Sequence, residues 1–255
     1  MTDNAPKPSK PLPEKKYCLR SESNGDDIVL FFDSVEGLPD GCIEKEGTET
    51  EDLLLVIEGM EAPKNCPALR EGAVYTICRV IGDIEVDVAG IHCKQLLHRA
   101  GTRHHWLISV GWARMPLALI LDAWLGGVPV GWRALNPLYR PSWIEACMKL
   151  AASRNWRQVL VTERVVLSVT GLQAIEDFYC HLGEALFGDW GYAGNSNLDA
   201  FEEVLRANQP ERILFCIPDE AGFDAFLART TGRPDYATVF KQIVIEAGAR
   251  LSTAC

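Results

Sequence analysis

Asp199, Glu202 and Glu203 set three carboxylates within five residues, in the stretch Asn197-Leu-Asp-Ala-Phe-Glu-Glu-Val-Leu205. At about 100° per residue, Leu198, Phe201, Val204 and Leu205 share one helical face, and the three acids share the opposite side. Carboxylates grouped in this way pair with arginine and lysine. They can also occupy a site built for phosphate, because both groups present oxygens to cationic donors. The segment before them, Gly188 to Ser196, holds three glycines and the aromatics Trp190 and Tyr192. Exposed aromatics beside carboxylates make good contact surface for a partner with cationic pockets. Ser196, with Asp199 three residues on, fits a capping-box start. Acids in a first helical turn are also common on solvated faces that have no function.

Other residues could carry other chemistry. His92, Cys93, His98, His104 and His105 form the one concentration of imidazole and thiol, a chemistry that binds zinc. Their spacing matches no zinc finger, and no carboxylate lies between 92 and 105. Cys93 or Cys147 could act as a nucleophile with a histidine base, given tertiary proximity. Asp199 and Glu203 could serve as an acid/base pair, but an exposed helix lacks the burial that tunes a catalytic pKa. The sequence has no phosphate loop, dinucleotide fingerprint or Gly-x-Ser-x-Gly elbow. The reading is therefore non-enzymatic, with no catalytic residue, metal or cofactor.

Composition narrows the class further. The 255 residues carry 35 acidic and 25 basic side chains, a net charge of −10. That balance argues against direct nucleic-acid binding and favours cationic partners. From Val161 onward the chain holds 14 acidic and 7 basic side chains, so the acidity is concentrated in the C-terminal part. The nine cysteines include no Cys-x-x-Cys pair, which points to reduced, mostly buried thiols and a cytoplasmic protein. The N-terminus lacks the apolar stretch of a signal peptide. The longest apolar run, Met115 to Trp132, is broken by Asp122, the consecutive glycines Gly126 and Gly127, and Pro129, so no membrane span is expected.

The elements that must position the acids are legible in outline. Residues 1–16 read as a disordered tail, and 17–157 as a mixed α+β domain of unknown fold. Within it, Ile28–Phe32 and Leu53–Ile57 read as strands, and Ile84, Val86 and Val88 alternate with Glu85 and Asp87. The stretch 115–140 is ambiguous between helix and strand. Ser142 to Glu145 matches a capping box opening a helix to about Arg154. The tryptophans from Trp106 to Trp156 read as core. Residues 160–255 alternate strands and helices, which implies a small parallel sheet covered by helices. Its strands are expected at Val165–Val169, Ile213–Ile217 and Arg250–Ala254. Asp219 caps one helix, Pro234 starts another, and Gly248 stops it.

Tyr192, Gly194, Asn197-Leu198-Asp199-Ala200-Phe201 and Glu202-Glu203 resemble the loop and second helix of the barstar family, intracellular inhibitors of barnase-type ribonucleases. The resemblance covers about residues 163–254. It implies an α/β fold with a three-stranded parallel sheet and a helix and loop that sit over a ribonuclease active site. There, acidic side chains stand in for RNA phosphate. By position, Asp199 matches the family's first key aspartate, Glu203 the acid that enters the catalytic pocket, and Tyr192 the loop tyrosine. Asn197 is the implied contact from loop to helix. Glu203 is one methylene longer than the family's aspartate, and Glu202 stands where tryptophan is frequent. Gly191 to Ser196 is about a residue longer than the usual loop. Gln242 and Glu246 are both candidates for the acid of the last helix.

Residues and resemblance together predict a cytoplasmic inhibitor, immunity protein or antitoxin. It binds a basic ribonuclease or nuclease toxin through Trp190, Tyr192, Gly194, Asn197, Asp199, Glu202 and Glu203. The alternative is a module of the same fold that binds another basic protein, with the N-terminal domain setting specificity.

Overall fold

The computed structural model describes residues 16–21, 28–39, 42–44, 52–61, 69–81, 84–128, 130–153 and 158–254. Apart from Lys16, the expected N-terminal tail lies outside them. The chain forms two compact units, residues 1–129 and 130–255. Among the described residues, no helix is long and apolar enough to cross a membrane.

The first unit is built on strands β1 (Tyr17–Ser21), β2 (Ile28–Phe32), β3 (Ser34–Glu36), β4 (Cys42–Glu44), β5 (Leu53–Glu58), β6 (Val74–Ile81), β7 (Ile84–Ala100) and β8 (Arg103–Arg114). They pair antiparallel in the order β2-β1-β6-β7-β8-β5-β3, and β4 joins β8. β2 and β3 are two halves of one bent segment around Asp33. The first half pairs with β1 and the second with β5, and Phe31 bridges to Glu61. Among the described strands the sheet therefore closes on itself through this segment. In β7 the expected alternation is present: Ile84, Val86 and Val88 are buried, and Glu85 and Asp87 exposed. Helix α1 (Met115–Leu125) lies against β6 and β7 and buries Leu117, Ala118, Ile120 and Leu121. Pro116 at its start resolves the ambiguous stretch as helix, because its ring fixes a helical φ where no donor is needed.

The second unit holds α2 (Arg140–Ala152), β9 (Arg164–Val166), α3 (Ile175–Phe187), α4 (Leu198–Arg206), β10 (Leu214–Cys216), α5 (Glu220–Thr231), α6 (Tyr236–Glu246) and β11 (Arg250–Ser252). β10 is the central strand of a three-stranded parallel sheet, with β9 and β11 on its flanks. Each strand is shorter than the sequence suggests. Asp219 accepts a hydrogen bond from the Gly222 N–H and caps α5 (2.9 Å), and Gly248 follows α6 at φ 94°. The core is aromatic: Phe178, Phe223 and Phe240 pack with centroids 5.6–5.8 Å apart, and Phe201 stacks on Phe240 at 4.9 Å.

The seam between units differs from the break suggested near 157–160, because α2 packs on α3. Arg140 Nε donates to Asp177 Oδ1 at 3.0 Å, and both side chains are buried. Asp177 Oδ2 accepts the backbone N–H groups of Gln173 and Ala174, so one carboxylate caps α3 and holds α2. Leaving either charge buried without the other would cost several kcal/mol. Ser142 does not cap α2. The helix begins two residues earlier, at Arg140, and carries Ser142 into its buried face.

His181 on α3 faces the Val166 carbonyl through Nε2 (3.3 Å) and Arg133 Nη2 through Nδ1 (3.4 Å). Burial pushes its pKa below the ordinary histidine value, and the Arg133 charge adds to this. The unfolded chain, with its histidine near pH 6.5, then takes up the proton first. This contribution to stability is complete above about pH 6.5 and is lost as the pH falls below it. The urea unfolding midpoint should drop between about pH 7.5 and 5.5, and the drop should shrink in His181→Gln. An equal drop in the variant would exclude His181 as its source.

Candidate partner-binding loop and helix

The acidic helix α4 is amphipathic as its spacing predicts. Leu198, Phe201 and Leu205 are buried, Val204 is half-buried, and Asp199 and Glu203 are exposed. Its start lies one residue beyond the expected cap. Ser196 adopts a left-handed φ of 54° and ends the loop, and Asn197 caps the helix. Asn197 Oδ1 accepts the Ala200 N–H at 2.8 Å, and its Nδ2 donates to the Asn195 carbonyl at 3.2 Å. Asn197 thus joins loop to helix. Asn197→Ala should cost about 1 kcal/mol in urea unfolding, the ordinary worth of such a cap. It keeps both exposed acids, so partner binding should fall far less than on their removal.

The loop is seated by backbone packing. The carbonyl of Gly191 lies where a Cβ on Gly183 would stand, and the carbonyl of Gly183 lies where a Cβ on Gly191 would stand. Gly183 is in the middle of α3, where glycine costs about 1 kcal/mol relative to alanine. A glycine inside a helical pattern can mark a close backbone approach, and this is the sequence signal that locates the loop. Gly194 has φ 117°, and a Cβ there would lie 2.9 Å from the Phe201 nitrogen, so no other residue fits without strain. Gln158 grips Tyr192 from outside the loop: its Oε1 accepts the Tyr192 N–H, and its Nε2 donates to the Tyr192 carbonyl at 3.2 Å.

The seven predicted residues lie together on this loop and helix, in unequal circumstances. Trp190 is half-buried and stacks on Trp143 at 4.3 Å and 23°, which anchors the loop on α2. Gly194 is buried and acts through its backbone. Glu202 pairs with Arg206 one turn on, at 2.7 Å. The side chains of Asp199 and Glu203 make no hydrogen bond or ion pair with any described residue, and neighbour each other across one helical turn. Tyr192 is half-buried beside them. Burial pushes its hydroxyl pKa up, and the negative Glu203 pushes it further. Beneath lies Tyr179, whose hydroxyl meets that of Tyr236 on α6 at 2.8 Å. Burial holds Tyr179 protonated far above the ordinary tyrosine range, with Tyr236, Tyr192 and Asp199 adding in that direction. On α6, Gln242 donates to Glu246 at 2.7 Å, and both are exposed.

The site is thus an anionic face with an aromatic edge, on backbone fixed from three sides. The histidine and cysteine concentration lies elsewhere, along β7 and β8, with the His98 and His105 rings edge-on at 5.6 Å. Among the described residues, no three His, Cys, Asp or Glu side chains are placed to hold a metal ion. Comparison of the chain with family models, with curated proteins and with solved structures finds no match.

Proposed function

We propose that this protein is a non-enzymatic inhibitor that occludes the active site of a basic ribonuclease with its loop 188–197 and helix α4. The observation that carries the reading is the pair of exposed carboxylates, Asp199 and Glu203, which pair with no cation among the described residues and stand beside Tyr192 on a closely seated loop. Two unpaired anions one turn apart repel each other, so the arrangement is stabilised by whatever brings cations to it. A ribonuclease active site brings arginine, lysine and histidine placed for phosphate. The resemblance of Tyr192 and Asn197 to Glu203 to the barstar family supports the same reading, as does the three-stranded parallel sheet behind them. Attraction between an acidic face and a basic enzyme gives fast, salt-sensitive association.

The test is affinity capture from the protein's own cells and their secreted proteins. Full-length wild type and Asp199→Asn/Glu203→Gln serve as baits, at about 0.05 M and about 0.3 M salt. A small basic nuclease retained only by wild type, and more weakly at the higher salt, is the expected result. A partner retained equally by both baits places the interface elsewhere. A basic protein without nuclease activity, retained only by wild type, moves the reading to an interaction module of another kind.

A further inference from the structure

The first unit holds a second reactive cluster that the inhibitor reading does not use. Cys18 on β1 stands directly opposite Cys78 on β6, and Cys78 directly opposite Asp87 on β7. Residues paired across antiparallel strands point to the same side, so both thiols lie on the side where Asp87 is exposed. The Cys78 thiol donates to Asp87 Oδ1 at 3.3 Å. Arg20, two residues beyond Cys18 on β1, reaches Glu85 at 2.7 Å and Asp87 at 3.3 Å. To do so its side chain must cross β6, which lies between β1 and β7. The thiols, with no exposed surface of their own, therefore lie beneath one ion-paired arginine. For a small disulfide to reach them this side chain must turn aside, a motion that breaks its ion pairs and not the strand pairing.

We propose that Cys18 and Cys78 are a redox-active dithiol that closes to a cross-strand disulfide by exchange with a low-molecular-weight disulfide. Directly opposed antiparallel residues hold their Cα atoms about 4.5–5.5 Å apart. That lies within the range of about 4.4–6.8 Å that a disulfide spans.

The two sulfurs have different roles. The Cys78 thiol and the Arg20 charge both favour the Cys18 thiolate, and hold its pKa below the ordinary thiol value despite burial. Cys78 is held protonated by its bonds to Cys18 and Asp87 and by burial. The Cys18 thiolate attacks one sulfur of R–S–S–R. The S–S bond breaks, R–S⁻ leaves, and a Cys18–S–S–R mixed disulfide remains. Cys78 then passes its proton to Asp87, attacks Cys18 Sγ and expels the second R–S⁻. Asp87 then releases that proton to solvent; with the proton that Cys18 lost on ionising, the dithiol gives up two electrons and two protons, and the two R–S⁻ take up two protons from solvent as thiols. The other buried thiols lack this setting: burial pushes Cys93 up to about 12 and raises Cys147 and Cys180 as well.

The experiment uses the reduced full-length chain, incubated folded with bis(2-hydroxyethyl) disulfide and mapped by peptide mass spectrometry. The expected product is a peptide containing Cys18 linked to one containing Cys78. In Cys78→Ser the reaction should stop at one mercaptoethanol on Cys18. That adduct should form at least about tenfold faster than any at Cys93, Cys147, Cys180 or Cys216, because the rate follows thiolate fraction and access. In Cys18→Ser, Cys78 should stay unmodified over the same period. The proposal is overturned if Cys18 and Cys78 remain free in the folded wild-type chain, or react no faster than those four. The wild-type map decides even if a variant fails to fold.

Discussion

Asp199→Asn/Glu203→Gln is expected to bind the proposed ribonuclease partner at least about a thousandfold more weakly than wild type, and to unfold within about 0.5 kcal/mol of it. Truncating one partner of a desolvated charge pair at an interface costs about 2–5 kcal/mol. Two such losses of about 2 kcal/mol each amount to about three decades of affinity. Among the described residues neither acid's side chain has a partner to lose, and both are exposed. Relief of their mutual repulsion offsets the loss of Asp199 from the first turn, where the helix dipole favours an anion. The loss should lie mostly in slower association at low salt and faster dissociation at any salt. Urea unfolding and binding kinetics on the same preparations check both halves. A large stability loss in the double variant would show that the acids serve the fold.

Gly183→Ala is expected to remove most of the partner affinity without touching an acid. The new methyl group meets the Gly191 carbonyl oxygen, which is backbone and cannot move by a rotamer change. The loop must lift off α3, and overpacking of this kind costs about 1–3 kcal/mol of stability. Alanine's better helix propensity offsets up to about 1 kcal/mol of that. The loop carries Tyr192 away from Glu203 and pulls Trp190 from Trp143, so the contact surface is lost as a unit. Affinity should therefore fall by two decades or more (about 2.8 kcal/mol), while the unfolding free energy falls by less. Gly188, with an ordinary van der Waals neighbour at 3.7 Å, does not make this close approach. An alanine at 183 that leaves affinity intact would mean that the loop takes no part in binding.

The helices and strands of the second unit were legible wherever one residue type had one physical job. Leu198, Phe201 and Leu205 could face only inward, and Asp219 and Gly248 mark the ends of helices by chemistry that needs no tertiary partner. The start of α4 was misplaced by one residue, because Ser196 and Asn197 are both good caps and only the left-handed turn at Ser196 selects between them. The seam between units was not legible near 157. It is set by Arg140 with Asp177 and Trp143 with Trp190, pairs separated by 37 and 47 residues, for which local pattern carries no signal. In β7 the alternation reads cleanly only to Val88. Irregular pairing at Gly90/Ile91, Cys93/Gln95 and Leu96/His98 then shifts which side faces inward, so a 17-residue strand reads as a five-residue one. At the candidate site, residue types marked the acids and Tyr192. The grip of Gln158 on Tyr192 and the ties on Glu202 and Trp190 emerge only in three dimensions.

The most direct measurement is a titration of the 255-residue chain into RNA cleavage by a basic ribonuclease recovered in the affinity capture. Cleavage should fall linearly to a stoichiometric end point with wild type, and should persist at the same concentrations of Asp199→Asn/Glu203→Gln. Cleavage that continues in the wild-type complex, or is blocked equally by the double variant, would contradict occlusion of the active site by this loop and helix.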